Sequence, residues 1–442
     1  MSSSLPGGEA AIAVVGAGVV GVATAYALAR RGARVVLVDR ADGPAQGASF
    51  ANGAQLSYAY TDAMAGPALW KQLPDILGGR DAAFRTRLAA DPDFLRWGLA
   101  FLRNATQGRL ERNTLNTLEL ALESQAALHA LLQRHPLEFH HRVAGKMHLY
   151  FKPQPLQAAG RMMALKRGHG VRQELLDPAR ATAIEPALAG ARGVLGVVHS
   201  PDEEAGDPYR FSTGLLEVLR GQYGVQAQFG FELADLRREG RQWRLRARDG
   251  RDLAAAAVVV CAGIDSARLL RPLGIHVPLM AIKGHSFTAP CGPNPPSASI
   301  TDTSRKLVFC RLGDRIRVAG LADLNHWDPT PVPERVRELV AMARASLPEA
   351  ADYDRIESHW AGLRPVTPFS SPIIRTAREG LVLNVGHGML GDGDDFLRIV
   401  TEGHADQHVA LLHGARRLIG ESACCIHEDD PGKDIKSLMK EL

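Results

Sequence analysis

Apolar residues follow two different rhythms along this chain, and the change from one to the other marks its first unit. Residues 11–15 form a short unbroken apolar run, residues 22–31 carry an alanine-rich helical pattern closed by Gly32, and residues 34–39 return to an apolar run ending on Asp39. Strands without alternation suit a sheet covered on both faces, so the three segments predict one βαβ unit. From 62 to 141 the spacing turns to three and four through Leu115, Leu118, Leu122 and Leu128, which predicts a helical insertion. Strand patterns follow at 146–151 and 194–199. Asp207-Pro208 then opens a helix through 219, because Asp is a favoured N-cap and Pro a favoured first helical residue. Further strands are predicted at 225–229, 233–237, 243–248, 256–261, 282–288, 307–310 and 315–319, with a helix at 333–346. The two kinds of segment interleave without an internal repeat, which implies domains assembled from discontinuous stretches of chain.

Length and composition narrow this picture. A chain of 442 residues exceeds one ordinary core, so two or three domains are expected. Its 45% hydrophobic, 6% aromatic and 23% charged residues describe a soluble globular protein. No stretch approaches the ~20 apolar residues of a membrane span, and the polar start through Glu9 does not read as a secretory signal, so a cytoplasmic location is expected. Cys261, Cys291, Cys310, Cys424 and Cys425 show neither C-x-x-C spacing nor a disulfide framework, and they are expected to be free thiols with no metal bound. Net charge is +4, and arginines alternate with acids, as in Arg335-Val336-Arg337-Glu338. That pattern argues against a nucleic-acid groove, while leaving room for peripheral contact with anionic lipid at the inner membrane.

Gly16-Ala17-Gly18-Val19-Val20-Gly21 fits G-x-G-x-x-G, and Asp39 lies 23 positions after Gly16, close to the ~20 that a dinucleotide fold uses. Gly16 permits a tight turn, Gly18 lets backbone approach a pyrophosphate, and Gly21 lets helix pack on strand. The helix start offers free N–H groups to phosphate. Asp39 can accept from ribose hydroxyls, and its charge disfavours a 2′-phosphate. This motif does not separate FAD from NAD.

Further segments bear on that choice. Residues 49–58 (Ser-Phe-Ala-Asn-Gly-Ala-Gln-Leu-Ser-Tyr), 201–211, Ile282-Lys283-Gly284-His285-Ser286, Gly362-Leu363-Arg364-Pro365-Val366-Thr367-Pro368 and Gly386-His387-Gly388-Met389-Leu390-Gly391 resemble, in order, bacterial D-amino-acid dehydrogenases. That family belongs to a wider group containing glycine and sarcosine oxidases. The resemblance implies an α/β fold: a Rossmann-type FAD-binding domain (9–60, 205–275, 362–420) and a discontinuous α+β substrate domain (61–204, 276–361), with a charged tail at 421–442. It implies FAD with its adenosine near Asp39 and Arg40, its pyrophosphate over Gly16, Gly18, Val19, Val20 and Gly21, and its flavin against Ser49, Asn52, Gly53, Ala54 and Gln55. Leu233, Ala262, Gly263, Gly388, Met389, Leu390 and Gly391 would complete the cofactor site. Arg364 matches the arginine that binds a substrate carboxylate in the glycine oxidases, and its planar fork suits that task. His285 and His387 are weaker catalytic candidates beside it, and Tyr58 and Tyr60 are expected to pack at the domain interface.

The implied reaction is oxidation of a small D-amino acid to a 2-oxo acid and ammonia, with electrons passed to a quinone-type acceptor. Such chemistry belongs to the cofactor and needs no nucleophile or metal cluster. An oxygen-using oxidase of glycine, sarcosine or proline-type amines, an NAD-dependent dehydrogenase and an impaired flavoprotein stay open. The last arises because Phe369 stands where the relatives have Asp, and because Asp392-Gly393-Asp394-Asp395 replaces the aromatic and small residues that open the family's final helix.

Overall fold

The computed structural model describes residues 11–78 and 83–388. Met389, Leu390, Gly391, the acids Asp392 to Asp395, Cys424 and Cys425 lie outside them.

The βαβ unit forms as its pattern predicts. Strands Gln226–Gln228, Val35–Val38, Ile12–Val15, Ala257–Val260 and Leu381–Val385 lie side by side in parallel, and Ile373–Arg378 closes one edge antiparallel. Alternate residues feed opposite cores. Ile12 and Val14 pack under the helices Val19–Ala29 and Pro208–Tyr223, and Ala13 and Val15 pack against a three-stranded meander built around Trp243. Two-sided burial is why these strands lack alternation. Helix Val19–Ala29 begins earlier than the apolar pattern at 22 because Gly18, in extended backbone, serves as its N-cap.

The insertion resolves into helices Leu69–Leu77, Pro92–Asn104 and Gln107–Arg134. The longest lays Ala121, Leu128 and Leu131 on the nucleotide-domain core, so the stretch expected in the substrate domain is shared between both.

Among the described residues the second sheet has nine strands. Ser358–Val366, Met280–Pro290, Arg315–Leu324, Leu307–Leu312, Ser299–Asp302, Lys146–Tyr150, Gly196–Ser200 and Glu174–Leu176 follow one another, and Phe84–Thr86 pairs with Arg315–Leu324. Helix Pro333–Ser346 covers one face through Leu339 and Ala343 against Phe287, Ile316 and Val318. The other face meets the nucleotide domain. Ser358–Val366 pairs along its whole length with Met280–Pro290, so the expected domain boundary at 362 falls inside a strand of the second sheet; the chain returns to the nucleotide domain only after Val366.

Asp207 ties the two domains together. One of its oxygens, Oδ1, caps the helix by accepting from the N–H groups of Tyr209 (2.9 Å) and Arg210 (3.1 Å), and Oδ2 accepts from Arg317 Nη2 at 3.2 Å. The Arg317 and Asp207 side chains are only 10% and 9% exposed. Removing one member of a buried ion pair strands the other charge, at ~3–5 kcal/mol, and the lost cap adds ~1 kcal/mol. Asp207→Ala is therefore expected to lower thermal stability far more than Asp177→Ala, which removes an exposed cap from helix Pro178–Ile184; differential scanning calorimetry of the two variants checks this.

Candidate active site

A cleft runs along the carboxyl ends of the parallel strands, where ligands bind in open α/β sheets. Asp39, Arg40 and Leu233 line one end, Gly16, Gly18, Val19, Val20, Ser49, Ala262 and Gly263 line the middle, and Trp360, Leu363, Pro365, Asn384 and His387 line the far end. Its length and glycine floor fit an extended dinucleotide.

The three glycines of the motif do different work. A Cβ on Gly16, whose φ is +104°, would stand 2.5 Å from the Cys261 carbonyl oxygen, and one on Gly21 would stand 1.7 Å from the Gly16 carbonyl oxygen. Those two are required by the fold itself. A Cβ on Gly18 would meet only Ser49 Oγ at 3.5 Å, an ordinary contact, and Gly18 faces the cleft. Its smallness leaves the cleft floor open beside Ser49. FAD fits this cradle: Gly18, Val19 and Val20 would hold its pyrophosphate at the helix start. Ser49 Oγ accepts from the Val19 N–H at 3.2 Å, which brings residue 49 to the same place.

Asp39 is organised by backbone. Its Oδ2 accepts from Ala17 N–H at 2.6 Å and its Oδ1 from Ala41 N–H at 2.8 Å. Burial raises its pKa, and these two donors oppose the rise. Each oxygen keeps a lone pair for a ribose hydroxyl. Arg40 pairs with Asp265 at 3.0 Å at the rim.

At the far end Gly284 and Gly362 face each other across neighbouring strands. A Cβ on Gly284 would lie 3.0 Å from Arg364 Nη2, and one on Gly362 would lie 2.1 Å from the Trp360 ring. The glycine pair thus lets the Arg364 guanidinium and the Trp360 indole lie flat on the sheet. Arg364 stands between Leu363 and Pro365, both of which line the cleft.

His387 bridges to Val366, and its Nε2 lies 2.8 Å from Asn384 Oδ1. Asn384 Nδ2 donates to Thr24 Oγ1 at 3.1 Å, and Thr24 Oγ1 donates to the Val20 carbonyl at 2.8 Å. Because Asn384 spends its amide N–H on Thr24, its oxygen accepts, and His387 carries its proton on Nε2. This chain of bonds links the phosphate-binding helix to the far end of the cleft.

His285 does not join this group. Its position in the strand, three residues from Ile282, which pairs with Arg364, sends it to the opposite face. There it is buried, its neighbouring charges are Asp323, Lys283, Arg335 and Glu338, and burial drives its pKa down to about 4. The expectation that His285 stands at the substrate is corrected: strand alternation places it beneath the sheet. Asn52, Gly53, Ala54 and Gln55 also leave the cleft wall. Asn52 Oδ1 accepts from Ala54 N–H in a turn, the Ala54 carbonyl accepts from Cys310 Sγ, and Gln55 Nε2 reaches the Phe309 carbonyl. Gly388 packs on Pro365, donating to its carbonyl at 3.1 Å.

The segment after Ser49 is pinned by a buried polar cluster that the sequence reading missed. The Ala59 N–H donates to Glu203 Oε1 at 2.7 Å, and Lys166 Nζ donates to the Ala59 carbonyl and to Asp62, each at 2.7 Å. Lys146 stands over the Tyr60 ring at 4.7 Å, and that ring lies against His148. Tyr58 donates to Glu204 at 3.4 Å, and His129 and His141 each hold a Glu204 oxygen at 2.6 Å. Burial would raise Glu204, but His141 and His129 hold its pKa below the usual value. Burial raises the Glu203 pKa to about 7 against the pull of Lys146, the Ala59 N–H, Lys166 and the Ser57 hydroxyl.

A family model for FAD dependent oxidoreductases matches residues 11–391, and the chain belongs to that family. A Ralstonia nicotianae protein named D-amino acid dehydrogenase 2 is 40% identical over 392 residues, covering 86% of this chain and 92% of that one. A Paramagnetospirillum magneticum D-amino acid dehydrogenase is 40% identical over 386 residues, covering 86% and 91%. Glycine oxidase from Geobacillus kaustophilus superposes with a TM-score of 0.70 at 20% identity, covering 90% of this chain and 94% of that one. The fold is therefore that of FAD-binding amine oxidases, and FAD is the cofactor of this chain.

Gly18→Val is expected to fold, with an unchanged far-ultraviolet spectrum, but to purify colourless, whereas Gly21→Val is expected to fail to fold; flavin absorbance and circular dichroism together separate the two. Glu203 supplies a pH test. Its folded pKa is raised from 4.5 to about 7, so its contribution to stability is complete below 4.5 and is lost as pH rises through 7, amounting to up to ~3 kcal/mol. Glu203→Gln should stay equally stable across that window while the wild type weakens, read as melting temperature against pH.

Proposed function

We propose that the chain oxidises the Cα–N bond of a small D-amino acid, giving an imino acid that water hydrolyses to a 2-oxo acid and ammonia, and that the electrons leave to a quinone-type acceptor. The observation that carries this reading is Arg364, whose guanidinium lies over Gly284 on the strand whose Trp360, Leu363 and Pro365 line the cleft; the 40% identity to proteins named D-amino acid dehydrogenase supports the substrate class. FAD supplies the hydride acceptor.

The chain supplies position and environment. Arg364 holds the carboxylate in two parallel hydrogen bonds. Trp360, Leu363 and Pro365 give the cleft an apolar wall beside it. His387, with its Nε2 proton committed to Asn384, keeps Nδ1 as an acceptor and orients rather than shuttles. The substrate amine must be neutral when its α-hydrogen leaves, so the pH profile of reduction follows the bound amine.

Among the described residues no helix is long and apolar enough to cross a membrane. The quinone reading places the protein peripherally on the cytoplasmic side of the inner membrane. Exposed Trp70, Leu95 and Leu99, beside Arg96 and Arg103, support that placement.

Anaerobic addition of a panel of D- and L-amino acids to the purified protein tests the reaction: D-amino acids are expected to bleach the flavin band. Bleaching by L-amino acids alone, or none by any amine, overturns it, and rapid oxygen uptake with peroxide would favour the oxidase reading. Arg364→Lys is expected to raise the KM for amino acids by about two orders of magnitude with FAD retained, since lysine keeps charge but loses the fork. Gly284→Ala, which pushes the guanidinium by tenths of an ångström, should raise it by about fivefold; steady-state kinetics on both variants checks the order.

A further inference from the structure

A second cavity of about 780 Å³ opens beside the FAD cleft, and Ile264, Pro329 and Leu363 are walls of both. Its volume lies within the range of small-molecule sites. Ile275, Val277, Leu279 and Trp327 give it an apolar side, and Arg268, 3.5 Å from Asp265, and His276 add donors among its charged lining.

Trp327 gives the cavity its character. The indole is 45% exposed, yet it is held in place: Nε1 donates to Asn325 Oδ1 at 2.8 Å. Asn325 is itself fixed in left-handed backbone at φ 63°, with its N–H on the Ala281 carbonyl at 2.9 Å and its Nδ2 on the Arg87 carbonyl at 2.9 Å. A large ring kept immobile while half open to solvent offers a face for a planar ligand to stack on.

The outer rim leads to an apolar approach. Asp91 and Asp93 line the cavity and begin helix Pro92–Asn104, with Asp93 paired to Arg271 on the opposite wall. That helix buries Trp97 with Phe94 and Phe101 behind it, and it carries a second apolar stripe, Leu95 and Leu99, at 59% and 52% exposure.

We infer that this cavity is the acceptor site, taking a planar apolar quinone that stacks on Trp327, with its carbonyl oxygens toward Arg268 and His276 and its inner edge at Leu363. The inference rests on the reading that electrons leave to a quinone. In the transfer the quinone's two carbonyls gain two electrons and two protons and become hydroxyls, and the reduced cofactor gives up the same two electrons and two protons in returning to FAD.

The test uses the holoenzyme and two probes: an azido-benzoquinone for photolabelling and a short-chain ubiquinone as acceptor. The label is expected on peptides containing Trp327 or residues 271–279. Trp327→Ala and Ile275→Glu should each lose most of the label and raise the KM for ubiquinone by about fivefold or more, whereas Trp327→Phe should keep both near wild type. Flavin reduction by D-amino acid and reoxidation by ferricyanide should be unchanged in all three. Label elsewhere, with both variants reoxidised by ubiquinone as fast as wild type, overturns the site and leaves the quinone reading standing. A wild-type enzyme that D-amino acid reduces but ubiquinone neither reoxidises nor protects from labelling overturns that reading, and the site with it.

Discussion

The molecule is organised around one backbone contact, where the strand Ile12–Val15 gives way to helix Val19–Ala29. The Gly16 carbonyl oxygen occupies the space a side chain on Gly21 would need, and the Cys261 carbonyl occupies the space beside Gly16. Any Cβ there would separate two parallel strands and lift the helix off them. With that contact made, Ser49 and Asp39 each reach the helix start, at Val19 and Ala17, and together they build the surface around it. The floor of the cleft is thus a consequence of close backbone packing in the nucleotide domain, and the loop residues Gln46 to Ser49 complete its wall.

Buried polar bonds tie the second sheet to this frame. Arg317 reaches Asp207, Ser286 Oγ donates to the Ala51 carbonyl at 2.6 Å, and the Glu203–Glu204 pair anchors residues 57 to 59 and the two flanking histidines. Such bonds are directional, so they fix registry between the domains as well as proximity. That registry sets where the strand carrying Arg364 stands against the nucleotide domain.

How much of this was legible in the sequence depends on whether the signal was local. The βαβ unit, the Asp207 cap and helix Pro333–Ser346 were readable because apolar period, cap residue and glycine spacing all act within one or two turns of chain. Residues 153–167, which form a helix, and the strands after 351 went unread, because their apolar positions are set by packing partners far along the chain. His285 was misplaced for a related reason: its neighbour Gly284 is at the site, and one step along a strand reverses the face. Asn384 was missed although a single polar residue inside Leu-Val-Leu-Asn-Val is itself a signal, since a buried amide in a central strand must have partners. The lysines and glutamates of the buried cluster carried no local mark at all.

The facing glycines at 284 and 362 have a consequence for descent as well as for geometry. They leave the guanidinium and the indole resting on bare backbone, so the position of both is set by residues that need not touch a substrate. If Arg364 holds the substrate carboxylate as proposed, a lineage could shift its reach by acquiring one methyl group beneath it, changing which amino acids are accepted while every group in the pocket stays the same. Substrate range would then drift through the floor of the site rather than its walls, and relatives with identical pocket residues could differ in diet.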